Sequence, residues 1–304
     1  MAKSKYKSLK HVTLFDTIVI LIAAIIGLIT VYPMWYVIVM SLSDPVYASG
    51  SGVWFWPKGF TFKSFEIVAK EVEFWITSRN SVNYVIIGTV IMLITTMLMA
   101  YPLTRKNLKG RKLITIYLLI PMYFGGGLIP TFIVVTKLGL YNSPWSTILL
   151  GSYSIWNIIL CKTYLQSLPN DLSEAAQIDG AGNWRVLLSI YLPLSNPVLA
   201  VITIYTIVGI WNSWFTAQVY LTKSEIQPVQ LYLKKVLIEQ SAGLNTMKGL
   251  VMDQRSMEAV AQQAIQARQL KYAMIVIVTV PILMVYPMFQ KYFVKGVMLG
   301  SLKG

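Results

Sequence analysis

The sequence predicts an all-α membrane protein with six transmembrane helices. The chain has 304 residues, of which 56% are hydrophobic and only 12% are charged, and its mean hydropathy is +0.60. These values are too apolar for an ordinary soluble domain. A helix needs about 20 residues to cross roughly 30 Å of hydrocarbon. Six apolar runs are of about this length: residues 17–42, 81–103, 113–136, 145–161, 197–221 and 272–290.

Several kinds of chemistry have no support in the sequence. None of the six runs contains Asp, Glu, Lys or Arg in its interior, so no proton relay, voltage sensor or ion ring is predicted. No Gly-Lys pair occurs, which excludes a nucleotide-binding loop of the G-x-x-x-x-G-K-[ST] type. The chain has one histidine, His11, and one cysteine, Cys161. No metal site and no catalytic residue are therefore predicted.

The basic residues predict the orientation in the membrane. The net charge is +14, and much of the excess flanks the apolar runs, which favours membrane topology over nucleic-acid binding. Both termini and the loops after the second and fourth helices are expected in the cytoplasm. The basic side chains on which this prediction depends are Lys3, Lys5, Lys7, Lys10, Arg105, Lys106, Lys109, Arg111 and Lys112.

One membrane domain, residues 15–294, is expected between a cytoplasmic N-terminal segment, residues 1–14, and a cytoplasmic tail, residues 295–304. The domain includes a cytoplasmic loop, residues 162–196, and an extracellular loop, residues 222–271. The extracellular loop is too long for a mere connection. It is expected to contain a helix near 229–239, a flexible tip at 241–249 and a polar helix from about 256.

Two further segments have distinctive patterns. Apolar residues between Phe62 and Trp75 recur at helical spacing and follow an aromatic cluster at 54–56, which predicts a short amphipathic helix on the outer surface. The third run contains Pro121, Pro130 and three glycines at 125–127, which predict a kinked or unwound helix. Such a break can line a cavity or act as a hinge, and close helix packing through small residues is an equal alternative.

The cytoplasmic loop predicts two short helices joined by a turn. Asp171 can cap the first helix, and Glu174 in its first turn complements the positive helix end. Gly180 and Gly182 are expected to end that helix, and Asn183 to cap a second one over 184–191. In the second helix, Leu187, Leu188 and Ile190 are expected to face the membrane helices, and Pro193 to stop it. Such a pair forms a compact knob that can transmit force to or from a partner, and an ordinary amphipathic linker is a comparable interpretation.

The same residues resemble the EAA loop of ATP-binding-cassette (ABC) importer permeases, with Glu174-Ala175-Ala176, Gly180, Ile190 and Leu192-Pro193 at the family spacing. Residues 43–45, 125–130 and 211–215 are most similar to the maltose-type carbohydrate permeases and their complex-oligosaccharide branch. The resemblance implies a type I ABC importer permease fold in which 171–179 is the coupling helix. Glu174 would form a salt bridge to the ATPase, and Gly180 would set the turn. The implied coupling residues are Glu174, Ala175, Ala176, Asp179, Gly180, Ile190 and Pro193.

The resemblance also implies a location in the inner (plasma) membrane of a bacterial cell, and it implies the partners. These are a second homologous permease, a dimer of cytoplasmic ATPases that hold ATP and Mg, an extracellular solute-binding protein and membrane lipid. The chain itself is expected to bind no cofactor and to catalyse nothing.

Neutral amides and aromatic rings within the apolar runs suit a sugar, because amides bond hydroxyls and rings cover the apolar faces of a pyranose. For each of these side chains, membrane anchoring or helix packing is the simpler explanation. The candidate pathway residues are Asn83, Tyr84, Asn157, Tyr205, Trp211, Asn212 and Trp214. The predicted function is import of a sugar or oligosaccharide, with two alternatives: the same machinery for a non-sugar solute, or a self-sufficient secondary carrier.

Overall fold

The computed structural model describes residues 13–49, 52–169, 171–247 and 270–290. Within these residues the regular structure is helical, and they contain no strand. The chain divides into two compact units, one of Met1–Ile67 with Met247–Val276 and one of Val68–Thr246 with Ile277–Gly304. The predicted polar helix from about 256, the C-terminal tail and most of the basic N-terminal segment lie outside the described residues.

The first helix, α1, spans Leu14–Ser41 and starts slightly before its apolar run because it has a capping box. Asp16 N–H donates to Thr13 Oγ1 at 3.2 Å, and Thr13 N–H donates to Asp16 Oδ2 at 3.0 Å. Most of its apolar side chains, such as Ile26 and Leu28, are exposed. A helix of this length that is apolar on all sides is suited to lipid.

The connection after α1 contains a short helix, α2 (Pro45–Ser49), and folds back on itself. Asp44 N–H donates to the carbonyl of Lys58 at 2.9 Å, which closes the loop. The predicted aromatic cluster, Trp54, Phe55 and Trp56, is exposed, as contact with lipid headgroups would require.

The amphipathic segment is two helices instead of one. Helix α3 covers Lys63–Lys70, and a new helix, α4, covers Val72–Ala100. Glu71 separates them with an extended ψ of 111°. The indole of Trp75 donates to the carbonyl of Ala69 at 2.8 Å and so spans the break. The prediction of a single surface helix through Trp75 was wrong, because this residue belongs to the first turn of α4.

The third apolar run is broken, as predicted. Helix α5 spans Arg111–Tyr123, helix α6 spans Leu128–Lys137, and their axes differ by 115°. Pro121 lies inside α5, so the break falls after it, at the glycines. Gly127 precedes α6 with a φ of +81°, a value that favours glycine.

The remaining helices follow in chain order. The fourth run is α7 followed by α8, and the fifth run, predicted as one helix, is divided at Asn212 into α12 and α13. The helix predicted near 229–239 continues to Met247, so the first part of the predicted flexible tip is helical. Their bounds are α7 (Pro144–Gly151), α8 (Ile155–Gln166), α9 (Asp171–Ile178), α10 (Asn183–Val186), α11 (Leu192–Leu194), α12 (Asn196–Trp211), α13 (Trp214–Tyr220), α14 (Val229–Met247) and α15 (Leu270–Gln290).

Helix α4 is the centre of the second unit, where α7, α8 and α12 pack against it. Two glycines allow the closest approach: a Cβ at Gly88 would lie 2.5 Å from Ile210 Cδ1, and one at Gly151 would lie 3.0 Å from Ile210 Cγ1. The side chain of Ile210 therefore fills the space that both glycines leave. Small residues at helix contacts are the usual way for membrane helices to pack closely.

Among the described residues, four helices are long and apolar enough to cross a membrane: Leu14–Ser41, Val72–Thr104, Pro144–Gln166 and Leu270–Gln290. Two bent helix pairs bring the number to as many as six if each pair is one span. These are α5 with α6, and Asn183–Leu194 with α12, where the bend is 75°.

The space around Ile210 generates a first prediction. Gly88→Ala should destabilise the second unit by about 1–3 kcal/mol, since the added methyl overpacks the contact between α4 and α12. Thermal unfolding of the purified protein in nanodiscs measures the change. Ile210→Val in the Gly88→Ala background should restore part of the loss. Gly209→Ala is the matched control, because a Cβ there meets no atom within 4 Å. Equal effects at the two glycines would contradict this account of the packing.

Candidate functional site

The predicted knob exists as α9 and α10, and a glycine motif sets the turn between them. Gly180 has a φ of +77°, in the left-handed region. Its N–H donates to the carbonyl of Gln177 at 3.0 Å, and Ala181 N–H donates to that of Ala176 at 2.9 Å. These two bonds form a Schellman motif, which satisfies the last carbonyls of a helix. The predicted role of Gly180 in ending the helix is confirmed.

The caps of the two helices differ from the prediction. Helix α9 begins at Asp171, which is therefore in the first turn with Glu174 instead of being the cap. The N-cap of α10 is Gly182, and Asn183 is the first helical residue, so the predicted cap was wrong. Gly182 adopts an ordinary extended conformation, which lets the chain enter α10 directly from the turn.

Pro193 does not stop the second helix, contrary to the prediction. A π-helical turn over Leu187–Tyr191 leads directly into α11, which contains Pro193. Wide turns of this type accommodate a residue that lacks a backbone N–H. The helical path ends at Ser195, whose hydroxyl donates to the carbonyl of Tyr191 at 2.6 Å. The 75° bend before α12 lies at this residue.

The knob presents acidic and apolar side chains together. Glu174, Ala175 and Asp179 are exposed, whereas Ala176 and Ile190 are partly buried against the bundle core. Leu188, predicted to face the membrane helices, is instead 56% exposed, whereas its neighbour Leu187 in the same π-helical turn is buried.

Two large apolar residues of the knob were missed by the sequence analysis. Ile178 is 86% exposed and Trp184 is 67% exposed. Their apolar character at the end of a loop helix, flanked by acidic and glycine residues, was the available signal. Exposed apolar groups beside carboxylates are typical of a surface that a partner covers.

Arg105 joins the knob to the C-terminal end of α4. Its guanidinium carbon lies 4.5 Å from the ring centroid of Tyr101 and 4.7 Å from that of Tyr191. Arg105 Nη2 donates to Tyr101 Oη at 2.7 Å, and Tyr101 Oη donates to the carbonyl of Asn183 at 3.2 Å. We call Arg105, Tyr101 and Tyr191 the arginine clamp. It holds the start of α10 against the chain that follows α4.

A cleft of about 610 Å³ lies between the knob and the segment after α4. Arg105, Lys106 and Glu174 all line it, so the basic segment after α4 and the knob share one side of the second unit. The lining residues are Leu98, Tyr101, Pro102, Thr104, Arg105, Lys106, Asn107, Leu108, Ser173, Glu174, Gln177, Asn183, Trp184 and Leu187.

Three of the candidate pathway residues have their polar groups engaged inside the second unit. Tyr84 Oη donates to the carbonyl of Ile226 at 2.5 Å, and Trp211 Nε1 donates to that of Val278 at 3.2 Å. Asn157 Nδ2 contacts Met92 Sδ at 3.6 Å. All three are buried, and these contacts stabilise the helix bundle.

The other four candidates, Asn83, Tyr205, Asn212 and Trp214, are exposed. Asn212 and Trp214 flank the break between α12 and α13, where Asn212 Oδ1 accepts from Gln230 Nε2 at 3.3 Å. The structure therefore places these two together, beside α14.

Helix α14 adds two lysines that the sequence analysis did not include. The ammonium nitrogen of Lys234 lies 3.6 Å from the ring centroid of Trp214 and donates to Gln218 Oε1. Lys235 donates to Gln227 Oε1 at 2.5 Å. No pattern in the sequence pairs α14 with α13, so only the fold brings these charges to the candidate residues.

Comparison with known proteins identifies the family. The family described as "Binding-protein-dependent transport system inner membrane component" matches residues 85–299. The chain belongs to this family. The matched range includes the knob and the residues of α13 and α14 described above. This membership confirms the prediction of a permease, a membrane subunit that is not an enzyme.

Individual relatives agree over nearly the whole permease. It is 37% identical to Protein LplC of Bacillus subtilis (strain 168) over 291 residues, which are 95% of each chain. It is 34% identical to the polygalacturonan/rhamnogalacturonan transport system permease protein YtcP of the same strain, over 96% of this chain and 99% of that one. A chain in the crystal structure of a bacterial ABC transporter involved in the import of the acidic polysaccharide alginate is 28% identical, with a TM-score of 0.83, and the match covers 94% of the permease and 99% of that chain.

The arginine clamp generates a second prediction. Tyr191→Leu should lower the stability of the permease by about 1–3 kcal/mol, because it removes both a cation–π contact and an edge-on contact with Tyr101. Tyr191→Phe keeps the ring and is the matched control. Thermal unfolding in nanodiscs compares the two variants, and the comparison is repeated in an Arg105→Met background. The gap between Leu and Phe should narrow there, and an unchanged gap would contradict the cation–π contact.

Proposed function

We propose that this permease is one half of the translocation pathway of an ATP-driven importer for a sugar or oligosaccharide. Membership of the binding-protein-dependent family supports import with an external binding protein. The observation that carries the proposal is the knob: exposed Glu174 and Asp179 stand beside exposed Ile178 and Trp184 on helices fixed to the bundle. Such a surface suits docking to a cytoplasmic ATPase, with α9 as the coupling helix.

The topology in this proposal has six spans, with each bent helix pair counted as one. Both termini lie in the cytoplasm, as does the loop 162–196, and the loop 222–271 is extracellular. The shared cleft supports the orientation, since Arg105 and Lys106 line the same face as the knob and positive loops favour the cytoplasm. The domain limits remain 1–14, 15–294 and 295–304.

The complete importer would contain a second homologous permease, two ATPase subunits and a solute-binding protein. ATP and Mg would be bound by the ATPases, because the sequence of this permease has no phosphate-binding loop. Glu174 would pair with a basic group of the ATPase, and Ala175 would allow close approach. The apolar surface provided by Ile178 and Trp184 would be buried in the same contact.

Movement of the ATPases would reach the membrane through two connections. The arginine clamp ties α10 to the end of α4, and the helical path Asn183–Leu194 leads directly into α12. A displaced knob would therefore tilt α4 and α12 together. Because Asn212 directly follows α12, such a tilt would also shift the exposed side chains of Asn212 and Trp214 beside α14. This coupling supports alternating access to the two sides of the membrane.

Carbohydrate is the best-supported cargo. The names of the similar permease YtcP and of the alginate transporter both specify polysaccharide import. The exposed amide and indole of Asn212 and Trp214 can bind a sugar through hydroxyl bonds and ring stacking. If the same machinery carried a non-sugar solute instead, that solute and sugars would not compete for uptake. A secondary carrier would transport without ATPase subunits.

The third prediction tests the knob. Glu174→Lys should reduce ATP-dependent sugar uptake by about tenfold or more, because losing a charge-assisted contact and adding repulsion costs more than about 1.4 kcal/mol. The complex is reconstituted in proteoliposomes, and uptake is compared with the amount of ATPase that copurifies. Circular dichroism checks that the helical content is unchanged. Glu225→Lys makes the same charge reversal in the segment between α13 and α14 and should leave uptake near wild type. Normal uptake by the Glu174 variant would refute the proposed docking.

A further inference from the structure

A cavity beside α13 and α14 has a chemistry that a neutral sugar does not require. Its volume is about 300 Å³, at the lower end of ordinary ligand pockets. Two lysine ammonium groups open into it from one helix, and among the residues whose side chains the structure describes no carboxylate lines it. The lining residues are Gln218, Leu221, Thr222, Gln227, Leu231, Lys234, Lys235 and Ile238.

The protein holds both ammonium groups in place with neutral partners. Lys234 lies over the Trp214 ring and donates to Gln218. Lys235 donates to Gln227. The Gln227 amide is itself oriented, because it is buried and its Nε2 donates to the carbonyl of Leu221 at 3.0 Å. The amide oxygen is thereby directed at Lys235.

These contacts do not engage all the N–H donors of the two ammonium groups and do not neutralise their charge. Each ammonium has three N–H donors, and each makes one hydrogen bond to an amide in the described part of the chain. Two positive charges that line one cavity, with neutral amides as their described partners, repel each other and attract an anion. A carboxylate has two oxygens and can accept from both groups with bonds stronger than neutral ones.

The candidate sugar-binding residues adjoin this cavity. Trp214 contacts Lys234 directly, and Asn212 accepts from Gln230 in the same helix as the lysines. A sugar ring whose hydroxyl groups bond the Asn212 amide would therefore place a substituent near the ammonium groups of Lys234 and Lys235. A hydroxymethyl group there would leave the charge uncompensated, whereas a carboxylate would neutralise part of it.

We propose that Lys234 and Lys235 form a binding site for the carboxylate of an acidic sugar unit, so that the cargo class is a uronate-containing oligosaccharide. This inference rests on the proposed import function and narrows it. The relative YtcP and the alginate transporter are both named for acidic polysaccharides. An acidic side chain of the solute-binding protein is the competing occupant, and the experiment separates it from a sugar.

The test uses the complete importer with its binding protein in proteoliposomes. Three probes of equal length are compared: trigalacturonate, its methyl ester and galactotriose. The variants are Lys234→Gln with Lys235→Gln, which removes the charge, and Lys234→Arg with Lys235→Arg, which keeps it. Lys223→Gln is the matched control, a loss of one positive charge in the same loop outside the cavity lining. ATP-dependent uptake is measured as a function of probe concentration.

The double Gln variant should lose about tenfold more uptake of trigalacturonate than of the methyl ester, as expected for losing charge-assisted hydrogen bonds. The double Arg variant should stay closer to wild type, and the control should keep the wild-type preference. An equal loss for all three probes would overturn the site in favour of docking to the binding protein. If the wild-type importer takes up galactotriose and the methyl ester but not trigalacturonate, the inference is overturned and the proposed function stands. Uptake of the probes that does not require ATP would overturn the proposed function.

Discussion

The attachment of the knob to the bundle is the contact on which the rest of this permease depends. A docking surface transmits motion only if it cannot slide on the helices that carry it. The arginine clamp prevents this, since one guanidinium lies over the rings of both Tyr101 and Tyr191, which contact each other edge-on, and is linked through Tyr101 Oη to the backbone of α10. An isolated surface ion pair would be worth little in the same position. Contacts with two rings and a hydrogen-bond chain give the attachment both energy and direction.

Breaks in the helices are placed where other groups take over the backbone bonds. Each break within a membrane span must satisfy its free N–H and C=O groups locally, because lipid offers no partner. Ser195 bonds the carbonyl of Tyr191 at the bend before α12. At the end of α12, the backbone N–H of Asn212 still bonds Val208 at 3.1 Å, which leaves the Asn212 side chain available to Gln230. At these two breaks, the Tyr191 carbonyl and the Asn212 N–H thus keep hydrogen-bond partners.

The two ends of the second unit have opposite chemistry. At the knob, carboxylates and exposed apolar groups suit a protein partner, whereas at α13 and α14 the amides, an indole and two ammonium groups suit a small polar ligand. Helix α4 packs against α7, α8 and α12 between them, so the core connects the two ends. The close contact of Ile210 with Gly88 and Gly151 leaves little room for independent movement. The helices around α4 are expected to move as a group.

Much of the local structure was predictable from the sequence. The apolar runs predicted the candidate spans, four to six among the described residues, because bilayer thickness acts on the length of each segment alone. Gly180 gave the turn because a left-handed residue is a local requirement. The break after α5 was predicted for the same kind of reason. The predictions for Asn183 and Pro193 were wrong, since a cap and a π-helical turn depend on how the next helix is seated against the bundle.

The sequence by itself therefore determined the membrane class, the approximate spans and the family pattern of the knob, all of which follow from neighbouring residues. Only the tertiary structure decided which side chains meet. Tyr101 and Asn183 are 82 positions apart, and Lys234 lies 16 positions from Gln218 across a change of direction. Contacts of this kind arise when helices pack, and no helical period encodes them. For that reason the sequence predicted a neutral pathway, whereas the fold places two lysines beside the candidate residues Asn212 and Trp214.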